Sequence, residues 1–310
     1  MAKKIIFMGT PTFAVPILKS LYQNGFPISI VYTQPPQKSH RGQKINKSPI
    51  QGISETLNID FRSPQSLKNN QEEYEFLKKL NADLAIVVAY GQIIPKRFLE
   101  LTKNGFINIH ASILPKWRGA APIQRSIMNL DKETGISIMK IDEALDSGPV
   151  SKIYKIKLDQ NLNTLDVSEK LSLLAAEKIL DDVDEILEEK SKFIAQDHSK
   201  ATYAKKIDKN EGLINWGDEA LKIIGKINGL VPSPGAYFNF IGERYKILKA
   251  EIGNGIGKIG EVISDDLEIV CGGKKSIKVF EIQREGKKVQ KTAEFMLGSQ
   301  IRKGSIISNV

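Results

Sequence analysis

The first third of the chain alternates apolar strands with an amphipathic helix, and this alternation constrains the fold more than any other feature. Residues 4–8 form a short apolar run that ends at a Gly-Thr-Pro turn. A helix with Ile17, Leu18 and Leu21 on one face follows, and a second apolar run occupies residues 28–33. Near-continuous apolar strands joined by helices are typical of parallel sheets that are covered on both faces. The pattern therefore predicts an α/β domain with a Rossmann-like, mostly parallel sheet.

Further elements extend this domain and suggest a second one. Strands are predicted at 82–89, 106–110, 135–141 and 150–156, and helices at 66–80, 121–128 and 165–189. Residues 191–206 lack periodicity and are interpreted as a linker. Beyond it, a helix at 217–228 precedes short alternating runs at 236–240, 245–251, 259–264, 267–271 and 277–283, which predict a small β-barrel or sandwich. We therefore expect domains at 1–190 and 207–310.

Composition narrows the classes of function. A net charge of +9 fits either a polyanionic partner or a merely solvated surface. The glycine spacing after the first strand lacks the GxGxxG fingerprint, which disfavours nicotinamide binding. One cysteine and three scattered histidines give little support for a metal cluster, so we expect metal-free chemistry. No apolar run is long enough for a membrane span and no cleavage-site pattern follows the start, so we expect a cytoplasmic protein without a membrane partner.

The stretch from Phe106 to Gly119 carries the strongest chemical signal. Asn108 and His110 are two residues apart in an apolar strand, a spacing that places both side chains on one face. Asp146 lies in an acidic loop after the strand at 135–141, which we place at a neighbouring strand end. An amide, an imidazole and a carboxylate together can stabilise a developing oxyanion and move protons. The alternative is a core histidine and an ordinary turn aspartate.

No serine or cysteine occupies an obvious nucleophile position near these residues. The nucleophile would then belong to the substrate, for example an amine. Residues 116–118, Lys-Trp-Arg, either clamp a bulky anion or cover the core.

A basic loop follows the second strand. Residues 34–49 include Lys38, Arg41 and Lys44, carry no acidic residue and contain several chain breakers. The loop is either a solvated segment or, because it follows a strand's carboxyl end, a contact for an anionic substrate.

The motifs of this chain closely resemble those of the methionyl-tRNA formyltransferase family, one branch of the folate-dependent formyltransferases. Asn-x-His with Ser-x-Leu-Pro and a later Leu-Asp-x-Gly mark the wider group. The continuation Trp-Arg-Gly-Ala-Ala-Pro-Ile-Gln and the C-terminal motifs are more specific. The resemblance covers nearly the whole chain through these stretches: 9–16, 33–35, 41–42, 89–91, 108–124, 145–148, 201–204, 212–216 and 232–236.

The resemblance implies transfer of a formyl group from 10-formyltetrahydrofolate to the amino group of methionine on initiator tRNA. By family analogy, Asn108, His110 and Asp146 match the catalytic positions. From the same-face pair and the acidic loop, our mechanistic hypothesis is direct attack by the neutral amine, with Asn108 and His110 stabilising the oxyanion and Asp146 setting the charge of His110 and relaying protons. The resemblance also implies an OB-fold-like C-terminal domain that contacts tRNA. By the same analogy, the binding residues are Ser112, Ile113, Leu114, Pro115 and the backbone near Gln92 and Ile94 for the folate, and Arg41 with Lys38 and Lys44 for the tRNA. We expect a monomer.

Some positions depart from the family pattern. Residues 34–40 lack an acid and an arginine that the loop usually contains, Ser233 replaces a common tryptophan, and Ala144 replaces a common glycine. Two other functions stay open: a folate-dependent formyltransferase acting on an amino sugar or another small amine such as glycinamide ribonucleotide, and a non-catalytic RNA-binding protein.

Overall fold

A computed structural model describes residues 3–39 and 44–308 of the protein. The chain divides into two compact units, which interleave along the sequence. The N-terminal unit contains residues 1–119, 135–156 and 168–203, and the C-terminal unit contains residues 120–134, 157–167 and 204–310. Residues 191–203, within the predicted linker, belong to the N-terminal unit. The boundaries predicted at 190 and 206 stay a prediction.

A seven-stranded sheet forms the centre of the N-terminal unit. Its strands are β1 (Ile5–Gly9), β2 (Ile28–Tyr32), β5 (Phe61–Arg62), β6 (Leu84–Val88), β7 (Phe106–His110), β9 (Glu133–Lys140) and β10 (Val150–Lys157). The strand order is β10-β9-β7-β6-β1-β2-β5, and the pairs β1–β2, β1–β6, β6–β7 and β2–β5 are parallel. Every residue of β1 and β6 is buried, as continuous apolar runs require. The predicted Rossmann-like, mostly parallel sheet is confirmed.

Most helices agree with the predictions, but one helix begins later than predicted, and the short helices α2 and α4 below were not predicted. They are α1 (Val15–Gln23), α2 (Pro49–Thr56), α3 (Gln71–Leu80), α4 (Lys96–Leu99), α5 (Pro122–Met128) and α6 (Thr164–Leu187). The helix predicted from residue 66 begins at Gln71 instead, because Asn69 has a φ of +57° and the side chain of Asn70 caps the helix by accepting from Glu73 N. Short strands are β3 (Gln37–Ser39), β4 (Lys44–Asn46), β8 (Arg118–Gly119) and β11 (Tyr203–Ala204).

The C-terminal unit contains a curled antiparallel sheet, which confirms the OB-like β domain. Strands β12 (Ala236–Phe240), β13 (Glu243–Gly253), β14 (Glu268–Cys271) and β15 (Lys275–Arg284) have the order β12-β13-β15-β14, and β16 (Gln290–Lys291) pairs with β15. Residues 259–264, predicted as a strand, make only isolated bridges of Glu261 with Ile306 and of Val262 with Ile269. Gly260 has a φ of +80°, which interrupts an extended run at this point.

A short helix, α8 (Thr292–Gly298), follows β16 in the C-terminal unit. Within the same unit, helix α7 (Ala220–Leu230) packs on α5. A Cβ atom added to Gly225 would lie 2.7 Å from a side-chain carbon of Leu130, and one added to Gly229 would lie 2.5 Å from a side-chain carbon of Met128. The missing side chains therefore allow the close approach of these helices. In the described part of the chain, no helix is long and apolar enough to span a membrane.

Candidate active site

Asn108 and His110 lie on β7, near the centre of the N-terminal sheet. Strand β7 pairs in parallel with β6 and antiparallel with β9. Because side chains alternate along a strand, the two residues share a face, as predicted. His110 is only 6% exposed, and Asn108 is half-buried. The strand therefore holds the amide and the imidazole in a largely dry environment, where electrostatic interactions are stronger than in water.

Asp146 joins this pair by a route different from the predicted one. His110 is paired with Ser137 and Ile107 with Lys140, so β9 runs opposite to β7 and ends beside the amino end of β7. The expectation that Asp146 follows a strand end next to His110 is therefore wrong. The loop between β9 and β10 reaches back over β7 instead, and Asp146 adopts a φ of +46°, which is uncommon for a residue other than glycine.

The carboxylate of Asp146 contacts both members of the pair. Asn108 Nδ2 donates to Asp146 Oδ1 over 3.3 Å, and His110 Nδ1 lies 3.7 Å from Asp146 Oδ2. The backbone N–H of Gly119 also donates to Asp146 Oδ2, over 2.8 Å. The structure thus brings together the three predicted catalytic residues, with the carboxylate oriented by a backbone donor.

The imidazole of His110 has a defined orientation. Its Nε2 lies 2.9 Å from the backbone oxygen of Trp117, and a carbonyl oxygen can only accept a hydrogen bond. Nε2 therefore carries a proton, and Nδ1 is the nitrogen that faces the carboxylate of Asp146.

The segment 112–115 follows β7, and a buried hydrogen bond of Ser112 holds its conformation. Ser112 is fully buried and donates its hydroxyl to Lys116 O over 2.6 Å. Its side chain is thus used inside the fold, and only the partly exposed Ile113 and Pro115 side chains are available to a ligand, since Leu114 is also buried.

Gln92 and Ile94 lie in the loop after β6. Gln92 Nε2 donates to Pro64 O over 2.9 Å, and Tyr90 donates its hydroxyl to Gln92 Oε1. Burial raises the pKa of Tyr90, which keeps this hydroxyl protonated. Within residues 3–39 and 44–308, the backbone N–H and C=O groups of Gln92 and Ile94 form no hydrogen bond. These backbone groups are therefore free to bind a polar heterocycle.

The residues predicted to contact tRNA are described only in part. Arg41 lies outside the described residues. Lys38 and Lys44 belong to β3 and β4, which pair antiparallel, and their side chains are outside the description.

Arg118 and Gln196 are linked to the backbone of Asp146, and of the two Gln196 carries no signal that local sequence patterns reveal. Arg118 is 3% exposed and donates to Gln196 Oε1, so it lies in the core and does not clamp an anion at the surface. Gln196 in turn donates to the backbone of Asp146 over 3.0 Å. Among residues 3–39 and 44–308, no group of three or more His, Cys, Asp or Glu side chains is placed to hold a metal ion.

Two family models match the chain. The model described as "Formyl transferase" matches residues 3–183, and the model described as "Formyl transferase, C-terminal domain" matches residues 206–300. A methionyl-tRNA formyltransferase of Pelagibacter ubique is 67% identical over 310 residues, and the alignment covers 100% of both chains. A methionyl-tRNA formyltransferase of Mesorhizobium japonicum is 40% identical over 315 residues, with 98% of this chain and 99% of the relative covered.

Solved structures show the same fold at lower identity. The sugar 3N-formyl transferase WlaRD, crystallised in the presence of dTDP and 5-N-formyl-THF, has a TM-score of 0.70 at 20% identity and covers 93% of this chain and 100% of its own. An N-formyltransferase of Helicobacter canadensis, in complex with folinic acid and dTDP-3-aminofucose, also has a TM-score of 0.70, at 19% identity, covering 92% of this chain and 100% of its own.

Proposed function

Because the chain belongs to the formyl transferase family, we propose that it transfers a formyl group from 10-formyltetrahydrofolate to the amino group of methionyl initiator tRNA. The relatives that match over the full length carry the name methionyl-tRNA formyltransferase. The full-length match to these relatives favours tRNA as the acceptor over a small amine. The sugar formyltransferases share only the fold at their level of identity.

The observation that carries the proposal is the contact of one carboxylate with both polar residues of β7. Asp146 accepts from Asn108 and faces His110 Nδ1 at 3.7 Å. An isolated histidine or aspartate in the core would need no such arrangement. Three different functional groups on one face supply a donor, a proton-exchanging ring and an acceptor, which is the set that acyl transfer to an amine requires.

Each of the three residues has a separate task in the proposed reaction. The second N–H of Asn108 Nδ2 donates to the formyl oxygen as negative charge develops on it. His110 donates to the same oxygen from Nδ1, the nitrogen not engaged by Trp117 O. The carboxylate of Asp146 orients the imidazole and accepts the proton that the attacking amine releases as its nitrogen bonds to the formyl carbon. The tetrahedral intermediate then collapses, the bond between the formyl carbon and N10 breaks, and the proton passes to N10 as tetrahydrofolate leaves. Fixed donors of this kind lower activation barriers because they need no reorganisation during the reaction.

The formyl donor binds beside these residues in our proposal. 10-Formyltetrahydrofolate supplies an activated formyl group on nitrogen. The backbone groups of Gln92 and Ile94, which form no hydrogen bond within the described part of the chain, bind the pterin, whose ring offers several donors and acceptors. Within the segment 112–115, Ile113 and Pro115 contact the folate, whereas Ser112 and Leu114 act from inside the fold. The reaction that we propose uses no metal ion.

The tRNA contacts come from basic residues in both parts of the chain. Arg41, Lys38 and Lys44 are proposed to bind the acceptor end, and the C-terminal unit to add phosphate contacts. Because each cation bound to a phosphate releases a counterion, Arg41→Ala should weaken tRNA binding and reduce the slope of log affinity against log salt by about one. Since initiator tRNA acts in translation, we propose that the reaction takes place in the cytoplasm. We also propose that the enzyme is a monomer.

The test is a formyl-transfer assay with initiator and elongator methionyl-tRNA in parallel. We expect transfer to initiator tRNA, reduced by at least about 100-fold in His110→Ala and Asn108→Ala. Asn161→Ala, an exposed position, is the matched control and should retain the parent rate. Circular dichroism establishes that each variant is folded.

Three outcomes contradict the proposal in different ways. Near-normal turnover by folded His110→Ala would exclude its catalytic role. Formylation of an amino sugar but not of methionyl-tRNA would support the small-amine alternative. Salt-sensitive RNA binding without folate binding or transfer would support the non-catalytic alternative.

A further inference from the structure

A buried arginine without a carboxylate partner lies behind the site. Arg118 is 3% exposed, and no carboxylate of the described residues pairs with its guanidinium. Its Nε and Nη2 donate to Gln196 Oε1 over 3.1 and 2.7 Å, and Nη1 and Nη2 lie 3.2 Å from His198 Nδ1. Buried charges are normally paired with an opposite charge, so the use of two neutral acceptors here requires an explanation.

Gln196 connects this cation to the loop that carries Asp146. Its Nε2 donates to Asp146 O over 3.0 Å and to Gly148 O over 2.7 Å. The amide can have only one orientation, because a guanidinium only donates and carbonyls only accept. A glutamate at this position would pair more strongly with Arg118 but would offer no N–H to the two carbonyls. An amide is therefore the group that satisfies both neighbours.

Asp146 needs such support because its backbone is strained. A φ of +46° is uncommon for a residue other than glycine, so the loop depends on anchors to hold this conformation. The loop is held at two points, one that depends on Gly119 and one that depends on Arg118. Gly119 N donates to the carboxylate of Asp146, and the side chain of Arg118 orients Gln196, which holds the carbonyl of Asp146.

We propose that Gln196 is a positioning residue, which uses the buried charge of Arg118 to hold residues 146–148 so that the Asp146 carboxylate contacts Asn108 and His110. Gln196 touches no reacting atom and acts only through Asp146. The inference rests on the proposed formyl transfer for its kinetic effect, while its structural effect is independent of the substrate.

The variant Gln196→Glu separates the two tasks of the amide. Its carboxylate retains and strengthens the contact with Arg118, but it replaces the two N–H donors by acceptors that face the carbonyls of Asp146 and Gly148. Gln196→Ala removes both tasks. Gln23→Glu, which makes the same chemical change at an exposed position of the same unit, is the matched control.

We expect Gln196→Glu to unfold within a few degrees of the parent and to lose about 10- to 100-fold in kcat, because displacement of a catalytic group by about 1 Å has effects of this size. KM for the formyl donor and for methionyl-tRNA should change less than about threefold, since neither substrate contacts Gln196. Gln196→Ala should be both slower and less stable, and Gln23→Glu should match the parent. A Gln196→Glu variant with the parent kcat would overturn the proposal.

A crystal structure of Gln196→Glu gives a second, substrate-independent test. We expect the separation of Asn108 Nδ2 and Asp146 Oδ1 to exceed the 3.3 Å seen here. An unchanged site in that structure would overturn the positioning role even if kcat fell. If the parent itself transfers no formyl group, the proposed function fails, whereas the crystal structure still decides whether Gln196 anchors the loop.

Discussion

The hydroxyl of Ser137 donates to the backbone oxygen of Ser112 over 2.7 Å and fastens the segment after β7 to the neighbouring strand β9. The same hydroxyl accepts from Leu114 N over 3.1 Å, so one side chain satisfies two backbone groups of the proposed folate segment. Ser137 and Ser112 are both fully buried. Because water cannot replace these bonds, the conformation of residues 112–114 depends on Ser137.

Ser137→Ala should lower the free energy of unfolding by about 1–3 kcal/mol, since it leaves a buried N–H and a buried C=O without their partner. It should also raise KM for the formyl donor more than KM for methionyl-tRNA. Urea denaturation and steady-state kinetics measure the two effects. Ser54→Ala is the control: its buried hydroxyl donates only to Ile50 O within helix α2, a carbonyl that the helix also uses. Equal losses in both variants would contradict the prediction.

A buried carboxyl on α6 predicts a measurable pH dependence of stability. Asp182 is 1% exposed, and burial raises its pKa from 3.8 to about 6, although Tyr154 donates to Oδ1 over 2.8 Å. A pKa raised on folding means that the contribution to stability is fully present below about pH 4 and is lost as the pH rises through about 6. At neutral pH the charged carboxylate therefore destabilises the folded state.

Asp182→Asn should remove this penalty, because its amide oxygen still accepts from Tyr154. We expect the variant to exceed the parent in stability by about 1–3 kcal/mol at pH 8, with the difference shrinking toward pH 4. Chemical denaturation at several pH values gives the difference directly. Asp181→Asn, an exposed neighbour on the same helix, should show little difference at any pH. A gap between Asp182→Asn and the parent that is independent of pH would refute the explanation.

Local sequence patterns predict most of the fold and the pairing of Asn108 with His110, but not how Asp146 reaches them. Strands β1 and β6 are predictable because their apolar runs are fully buried, and the shared face of Asn108 and His110 follows from alternation along β7. The direction of β9 is not encoded in its own residues, since antiparallel and parallel strands can carry similar apolar runs. The sequence therefore predicts that the carboxylate of Asp146 lies near His110, but it does not predict the direction from which the loop after β9 approaches.

Contacts between segments distant in the chain are the part that sequence patterns miss. Gln196 lies in a segment without periodicity and contacts Asp146 and Arg118, which are 50 and 78 residues away. Helices α2, α4 and α8 span eight, four and seven residues, so their periodicity is too short to stand out. The reaction and both substrates follow from the family resemblance, because the spacing of three polar residues alone is compatible with several chemistries.

The one cysteine should be chemically inert in the folded protein. Cys271 is 1% exposed, and burial raises the pKa of its thiol to about 12, whereas the thiolate is the form that reacts. We expect no labelling by iodoacetamide at pH 8 in the native protein and one label per chain in guanidinium, as read by mass spectrometry. Gln300→Cys, at an exposed position of the same unit, should add one fast label; rapid native labelling of Cys271 would contradict the prediction.

An ion pair within the C-terminal unit should make that unit sensitive to acid. Arg125 on α5 binds Glu211 in a bidentate manner, with Nη1 to Oε2 at 2.5 Å and Nη2 to Oε1 at 2.9 Å, and it also donates to Lys205 O. The guanidinium is the main cause that lowers the pKa of Glu211 below its ordinary value of 4.5. The stabilisation is therefore present above about pH 4.5 and is lost as the pH falls through the lowered pKa.

Arg125→Met should lower stability at pH 7 by about 1–2 kcal/mol, a figure kept small because both side chains are partly exposed. Arg125→Lys retains the charge but not the two-pronged geometry, so it should recover only part of the loss. Urea denaturation at pH 7 and pH 4 should show the gap between parent and Arg125→Met narrowing at the lower pH. Lys222→Met, which breaks the more exposed pair with Asp218, should cost less than about 0.5 kcal/mol. Full recovery by Arg125→Lys would show that charge alone, rather than the bidentate geometry, holds α5 to residues 205–211.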